Sequence, residues 1–284
     1  MKKRVLITGV TGFVGRQVFD YLSTQNLHLT VVVREGKQSM LKNCAAVDSF
    51  IITQDIFAET ADWWASVLSD IDTIIHVAWY AEPGKYLQSN KNLDCLQGTL
   101  NMTKGAIQAG VRRIVGIGTC FEYDLSHGTL YIDTPIKPLT LYASAKAATF
   151  ITLSELLPAN GIEFVWCRLF YLYGEGEDSR RLVPYLRAKL LAGENAELTR
   201  GDQIRDFLDV SEAGRLIAKA ALGEVQGVIN ICSGIPITIK QLACNIADEY
   251  GRRDLLRFGS RPDNITDPPC VVGIQGLFSN KKNE

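Results

Sequence analysis

Tyr142-Ala143-Ser144-Ala145-Lys146 sets a phenol and an ammonium four residues apart, a spacing that makes side chains neighbours on one helix face. A cation beside a phenol favours the phenolate, which suits the pair to exchanging a proton with a hydroxyl or carbonyl near neutral pH. The same spacing recurs at Tyr185 and Lys189, so spacing alone does not choose between them. A second cluster, Thr8-Gly9-Val10-Thr11-Gly12-Phe13-Val14-Gly15, directly follows the strand-like run Val5-Leu6-Ile7. One glycine tightens such a turn, another lets a pyrophosphate approach the backbone, and a third lets helix and strand pack closely. Gly9, Thr11, Gly12, Phe13, Val14 and Gly15 are therefore expected to cradle a dinucleotide. The choice of dinucleotide falls at the end of the next strand-like run, where Arg34 precedes Glu35. An acid there accepts the ribose hydroxyls, whereas arginine favours a 2′-phosphate. NADP(H) is thus favoured over NAD(H), the bland alternative being a solvated loop charge.

These groups need a scaffold, and the first half of the chain supplies its pattern. Val5–Thr8, Leu29–Val33, Phe50–Thr53, Thr73–Val77, Ile114–Ile117 and Phe164–Arg168 are short apolar runs suited to buried parallel strands. Helical stretches fall between them at Phe13–Ser23, Leu93–Gln108 and Leu141–Leu157, the last ending before Pro158. Alternation of this kind predicts an α/β, doubly wound parallel sheet of Rossmann type. Further helices are expected at Val183–Leu191, Glu212–Leu222 and Ile239–Tyr250. Residues 1–168 read as the NADP-binding unit. Residues 169–284 read as mostly a small C-terminal substrate-binding lobe, interleaved with it.

Thirty basic and thirty-one acidic residues among 284 leave a net charge of −1, which argues against nucleic-acid or acidic-membrane partners. Seven scattered cysteines without a Cys-x-x-Cys, and only three histidines, give neither a disulfide framework nor a metal cluster. The opening basic-apolar run stops at Thr8-Gly9, too short for a signal or a span. A cytoplasmic protein is expected.

The Gly-x-x-Gly-x-x-Gly spacing with Thr8 before it resembles the extended short-chain dehydrogenases/reductases, the nucleotide-sugar epimerases, dehydratases and ketoreductases. Asp55-Ile56 stands where that family places an acidic residue near the adenine. His76-Val77-Ala78-Trp79 stands for its His-x-Ala-Ala, with Trp79 a departure that narrows the site. Asn92, ahead of Leu93 and Gly98-Thr99, stands in the stretch that resembles its helix beginning Asn-x-x-Gly-Thr, with five residues rather than two between Asn and Gly. The resemblance selects Tyr142 and Lys146 over the Tyr185 copy, and implies that Thr119 polarises the substrate oxygen while Lys146 holds the ribose. It sets Cys120 beside the substrate, read here as a packed neutral thiol. Phe170, in Arg168–Gly174, would pass the nicotinamide. Arg205, in a Gly-x-x-x-Arg-Asp-Phe segment, and Arg261 would hold a nucleotide diphosphate, and Arg180 and Arg181 are left as solvated charge. A homodimer through the two helices matching 93–108 and 141–157 is also implied.

Absences refine the resemblance. Dehydratases carry Asp-Glu after the catalytic Thr, where this chain has Cys120-Phe121, and the C3/C5 epimerases need a Cys and a His that are missing here. Ile265–Glu284 lacks the family's closing Asn-x-x-Leu…Gly-Trp segment, so an abbreviated lobe is expected. The resemblance therefore implies an NADPH-dependent reductase of a nucleotide-activated 4-keto-6-deoxy sugar. An NAD-dependent 4-epimerase and a non-catalytic NADP sensor stand as alternatives.

Overall fold

A computed structural model, which describes residues 2–41, 44–264 and 267–275, shows why the opening apolar run carries no polar residue. In chain order its first elements are β1 (Arg4–Thr8), α1 (Phe13–Leu22), β2 (His28–Arg34), β3 (Ser49–Thr53), α2 (Ala61–Val67), β4 (Thr73–His76), α3 (Lys91–Ala109) and β5 (Arg113–Thr119). There follow β6 (Thr129–Leu130), α4 (Leu141–Ala159), β7 (Glu163–Leu169), β8 (Tyr171–Tyr173), α5 (Leu182–Ala192), β9 (Ala196–Glu197) and β10 (Ile204–Asp209). The last are α6 (Val210–Leu222), β11 (Gly227–Ile231), β12 (Pro236–Thr238), α7 (Ile239–Glu249), β13 (Leu256–Arg257) and β14 (Cys270–Gly273).

Seven parallel strands form the main sheet in the order β3-β2-β1-β4-β5-β7-β11. Val5 and Ile7 point into one apolar layer with Val18 and Phe19 of α1 and Ile217 of α6. Leu6 and Ile74 point into the other, with Trp64, Met102 and Leu153 of α2, α3 and α4. Both faces are covered, so alternation gives way to unbroken apolar strands. Strand order reverses between β1 and β4, and the crevice at the carboxyl ends of these strands is where open α/β sheets bind ligands.

Six of the main-sheet strands coincide with the expected runs. The seventh, β11, comes from the second half of the chain, and α6 of that half packs on α1. Arg113, 2% exposed, ties the two together. Its guanidinium donates to the Ala220 carbonyl at 2.7 Å, to the Val225 carbonyl and to Glu163. Two helix readings need correction. Pro158 falls inside the last turn of α4 and does not end it, because only one further residue is helical before Asn160 closes the turn on the Leu157 and Pro158 carbonyls. Helix α2, seven residues long, escaped notice because it is too short to show a period. It is started by the Thr60 hydroxyl, which accepts from the Trp63 N–H.

The remaining strands build a lobe beside the carboxyl edge. A second sheet runs β12-β10-β14-β6, with β8 also on β10. Its hub is Asp206, fully buried, which accepts from Ser233 N–H and Oγ, Gly234 N–H and Gly273 N–H. Helices α5 and α7 close over a separate apolar cluster with β9 and β13. Within Ile265–Glu284, residues 270–273 form β14, and everything in that stretch except 267–275 lies outside the described residues. No helix among the described residues is long and apolar enough to cross a membrane.

Candidate active site

At the β1/β4 reversal lies a cleft of about 830 Å³. Its floor begins at the glycine turn. Gly9 has φ +76° and faces Ala78, whose backbone N would sit 2.7 Å from an added Cβ, so no other residue fits there. A Cβ on Gly15 would lie 2.0 Å from the Gly9 carbonyl oxygen, which lets α1 abut the turn. Gly12 begins α1 in extended conformation with no side chain capping it. The free N–H groups of the first turn are thus left at the cleft, as an anionic pyrophosphate requires.

Thr8 and His76, at the ends of β1 and β4, are locked by a polar chain. The Thr99 hydroxyl donates to the Cys95 carbonyl at 2.7 Å, so it accepts from His76 Nε2 at 3.1 Å. Nδ1 is then the acceptor and takes the Thr8 hydroxyl proton at 3.0 Å, while Thr8 Oγ1 receives the Ala78 N–H. Full burial drives the imidazole pKa down to about 3, with Lys146 adding a smaller push. The ring is neutral and serves as a strut.

All the expected cofactor positions line this one cleft: the turn residues 9 and 11–15, Arg34, Asp55, Ile56, Val77, Ala78, Trp79, Tyr142, Lys146 and Phe170. Thr119 and Cys120 line it too. Arg34 stands exposed at the end of β2 with no ion pair among the described residues. Asp55 accepts from the Phe57 N–H at 3.0 Å, shaping the loop after β3.

Thr119 ends β5 and caps the short turn Cys120–Glu122, its hydroxyl accepting from the Phe121 N–H at 3.3 Å. The same hydroxyl interacts with the Tyr142 phenol and favours its ionised form. Glu122, fully buried, receives the Thr119 N–H at 2.8 Å, the Trp166 indole N–H at 3.0 Å and Arg168 Nε at 2.7 Å. Its charge is spent behind the strand end, fixing Thr119. Burial pushes the Cys120 thiol far above its usual range, so it stays protonated.

Tyr142 does not show the expected lowering. Burial raises its phenol pKa well above the ordinary value, and Tyr86, Glu122 and Cys120 add to the rise, against which Thr119 acts. Lys146 is not among the groups that offset this rise, and burial depresses its own pKa to about 7. A phenol held protonated is a proton donor. Its ring meets Tyr86 edge to face, 4.8 Å between centroids.

The two arginines expected at the substrate diphosphate stand elsewhere. Arg205 is buried in β10, paired with Asp267 at 2.7 Å and stacked 5.3 Å from the Tyr171 ring, with Tyr171 between it and the cleft. Arg261 lies on the lobe against Tyr185, donating to its hydroxyl at 3.2 Å. Tyr185 also accepts from the Glu197 N–H, and Lys189 pairs with Glu194, so this second Tyr/Lys pair is engaged in packing. The cation that does line the cleft on the lobe side is Arg181, which favours the ionised form of the Tyr86 phenol. Sequence reasoning passed over both. Position gave a signal for Arg181, since it directly precedes the run Leu182–Ala192 and so occupies a helix start. Among the described residues no group of three His, Cys, Asp or Glu could hold a metal ion.

Comparison with known proteins agrees with this layout. The dTDP-6-deoxy-L-talose 4-dehydrogenase (NAD(+)) of Aggregatibacter actinomycetemcomitans is 21% identical, over 95% of this chain and 99% of that one. The dTDP-6-deoxy-L-talose 4-dehydrogenase (NAD(P)(+)) of Kitasatospora kifunensis is 26% identical, over 95% and 83%. The solved UDP-N-acetylglucosamine 4-epimerase from Methanobrevibacter ruminantium M1, in complex with UDP-N-acetylmuramic acid, has the same fold. It superposes with a TM-score of 0.84 over 96% of this chain and 90% of that one, at 22% identity. A family model, "NAD dependent epimerase/dehydratase family", matches residues 5–232. That match runs from the first strand of the sheet to just past the strand that completes it, and on it the chain belongs to the NAD-dependent epimerase/dehydratase family.

Proposed function

We propose that the protein reduces the C4 keto group of a nucleotide-activated 4-keto-6-deoxy sugar with NADPH. The observation that carries this reading is the meeting of Thr119, Tyr142 and Lys146 in a cleft where no carboxylate follows Thr119. Glu122 is turned away into its pair with Arg168, so elimination of water has no base at that strand end. When bound, the nicotinamide supplies the hydride. Tyr142, held protonated, gives its proton to the C4 oxygen, and the Thr119 hydroxyl polarises that oxygen. Lys146 would hold the ribose with its remaining N–H groups.

The two 4-dehydrogenase relatives support the reading, because their named reaction run backwards reduces a 4-keto-6-deoxy sugar nucleotide. Arg181 offers a fork for a diphosphate oxygen. Arg34 favours the cofactor with a 2′-phosphate. Leu93 on α3 and Ile151 on α4, each about half exposed, fit a homodimer paired through those helices.

The test is an assay of purified protein with NADPH against a panel of 4-keto-6-deoxy sugar nucleotides. Cofactor loss stoichiometric with a 6-deoxyhexose product is expected. Arg34→Ala should weaken NADPH binding by roughly 1.5–3 kcal/mol and leave NADH nearly untouched. Interconversion of two 4-hydroxy sugars with no NADPH consumed would replace this reading with a 4-epimerase.

A further inference from the structure

Lys146 is an ammonium in an unusual setting. It is 3% exposed, and no carboxylate lies within ion-pair distance of it among the described residues. One N–H donates to the Ile117 carbonyl at 2.6 Å. Its largest remaining contact is the face of Trp79, whose ring centroid is 3.7 Å from Nζ, with Trp166 farther off at 5.9 Å. The indole is held in place. Its Nε1 donates to Asn92 Oδ1 at 2.9 Å, and Asn92, itself fully buried, is anchored by donating to the Tyr86 and Ser89 carbonyls at 2.7 and 2.9 Å. Phe57 packs edge-on against the same ring, 6.4 Å away.

We propose that Trp79 is a positioning residue that keeps Lys146 charged and aimed, its locked indole face doing what a carboxylate partner does elsewhere. Every other group facing Lys146 is neutral or already engaged. On β4, His76 is neutral, its pKa driven down to about 3. On α3, the Cys95 thiol is pushed up to about 11 by burial. After β5, Glu122 attracts the ammonium but is bound to Arg168 and Trp166. On α4 itself, Tyr142 stays protonated. A ring quadrupole at this distance attracts an ammonium most strongly where water is excluded. Burial depresses the Lys146 pKa to about 7, so near neutral pH the attraction of the indole face tips the amine towards its charged form. A carboxylate in place of the indole would hold the charge too, but it would also repel the dinucleotide phosphates that share the cleft. An indole attracts the ammonium without adding net charge.

The proposal rests on the functional reading only for its effect on turnover, because the charge state of Lys146 can be read without any substrate. The experiment titrates the 13Cε resonance of Lys146, assigned by its loss in Lys146→Met, in the wild type, Trp79→Phe and Trp79→Leu. A parallel series carries mono-, di- and tetrafluorotryptophan at position 79, which drain the ring face while keeping its shape. The midpoint should fall by about one pH unit in Trp79→Leu and by less in Trp79→Phe, and stepwise with fluorination. On the proposed function, in which the Lys146 ammonium holds the ribose, the alkaline limb of kcat should move to lower pH by the same amounts. An unchanged midpoint across the fluorinated series, in which the fold is kept, overturns the proposal. If the midpoints shift and no ketosugar is reduced by any form, the functional reading fails and this one stands.

Discussion

Tyr142 and Tyr185 are the same residue type in the same local spacing, and their surroundings separate them. Tyr142 lines the cleft together with Thr119, whereas the Tyr185 hydroxyl is consumed by Glu197 and Arg261. Tyr142→Phe should lower turnover roughly 10²–10⁴-fold with cofactor affinity little changed, since the ring stays and only the proton donor goes. Tyr185→Phe should leave turnover within about twofold. Steady-state kinetics on both variants decides, and comparable losses would mean the wrong tyrosine was chosen. The phosphate turn, the strand before it and the Tyr/Lys pair could be read from the chain because each is a local pattern. Arg205 could not. Its spacing to Asp206 and Phe207 is visible, but β10 lies inside the second sheet, and pairing with Asp267 keeps the guanidinium from the cleft. Arg181 and Tyr86 line the same cleft across some ninety-five residues of sequence, and no local pattern announces a meeting of that kind.

Elements are joined here by a few buried polar groups whose titration has a definite sign. His76 links the ends of β1 and β4 to α3 as a neutral ring. Its folded pKa, about 3, lies below the usual 6.5, so between these values the unfolded chain binds the extra proton. Stability is then lost as pH falls below 6.5, by about 1.4 kcal/mol per unit from this residue alone. Urea unfolding at pH 6.5 and pH 5 should differ by about 2 kcal/mol more in the wild type than in His76→Gln, which keeps a donor and an acceptor. Equal slopes would mean that the ring is protonated in the fold. The capping pair Thr119 and Glu122 has a local Thr-x-x-Glu spacing that sequence reasoning did not single out. That Glu122 also meets Arg168 and Trp166 follows only from the parallel pairing of β5 with β7.

On the scale of the molecule, the main sheet is not the property of the first half of the chain. Helix α6 lies so close to α1 that a Cβ on Gly214 would come within 2.6 Å of Gln17, and Arg113 binds carbonyls at and beyond the end of α6. A fragment ending at residue 168 should therefore show no cooperative unfolding transition, whereas the full chain should show one. Calorimetry on both is the check, and a sharp transition in the fragment would mark the first half as self-sufficient.

The late arrival of β11 also has a consequence in time. About sixty residues separate the end of β7 from the start of β11. At roughly 5–20 residues per second of synthesis, the outer edge of β7 waits several seconds for its partner. Phe164, Val165, Trp166 and Cys167 lie along that strand, so an emerging chain carries an apolar strand with open backbone hydrogen-bonding groups. Crowded nascent chains of this protein are then most exposed to one another during that interval. Slower synthesis of residues 170–226 should lower the soluble yield, and a chaperone that shields apolar strands should restore it.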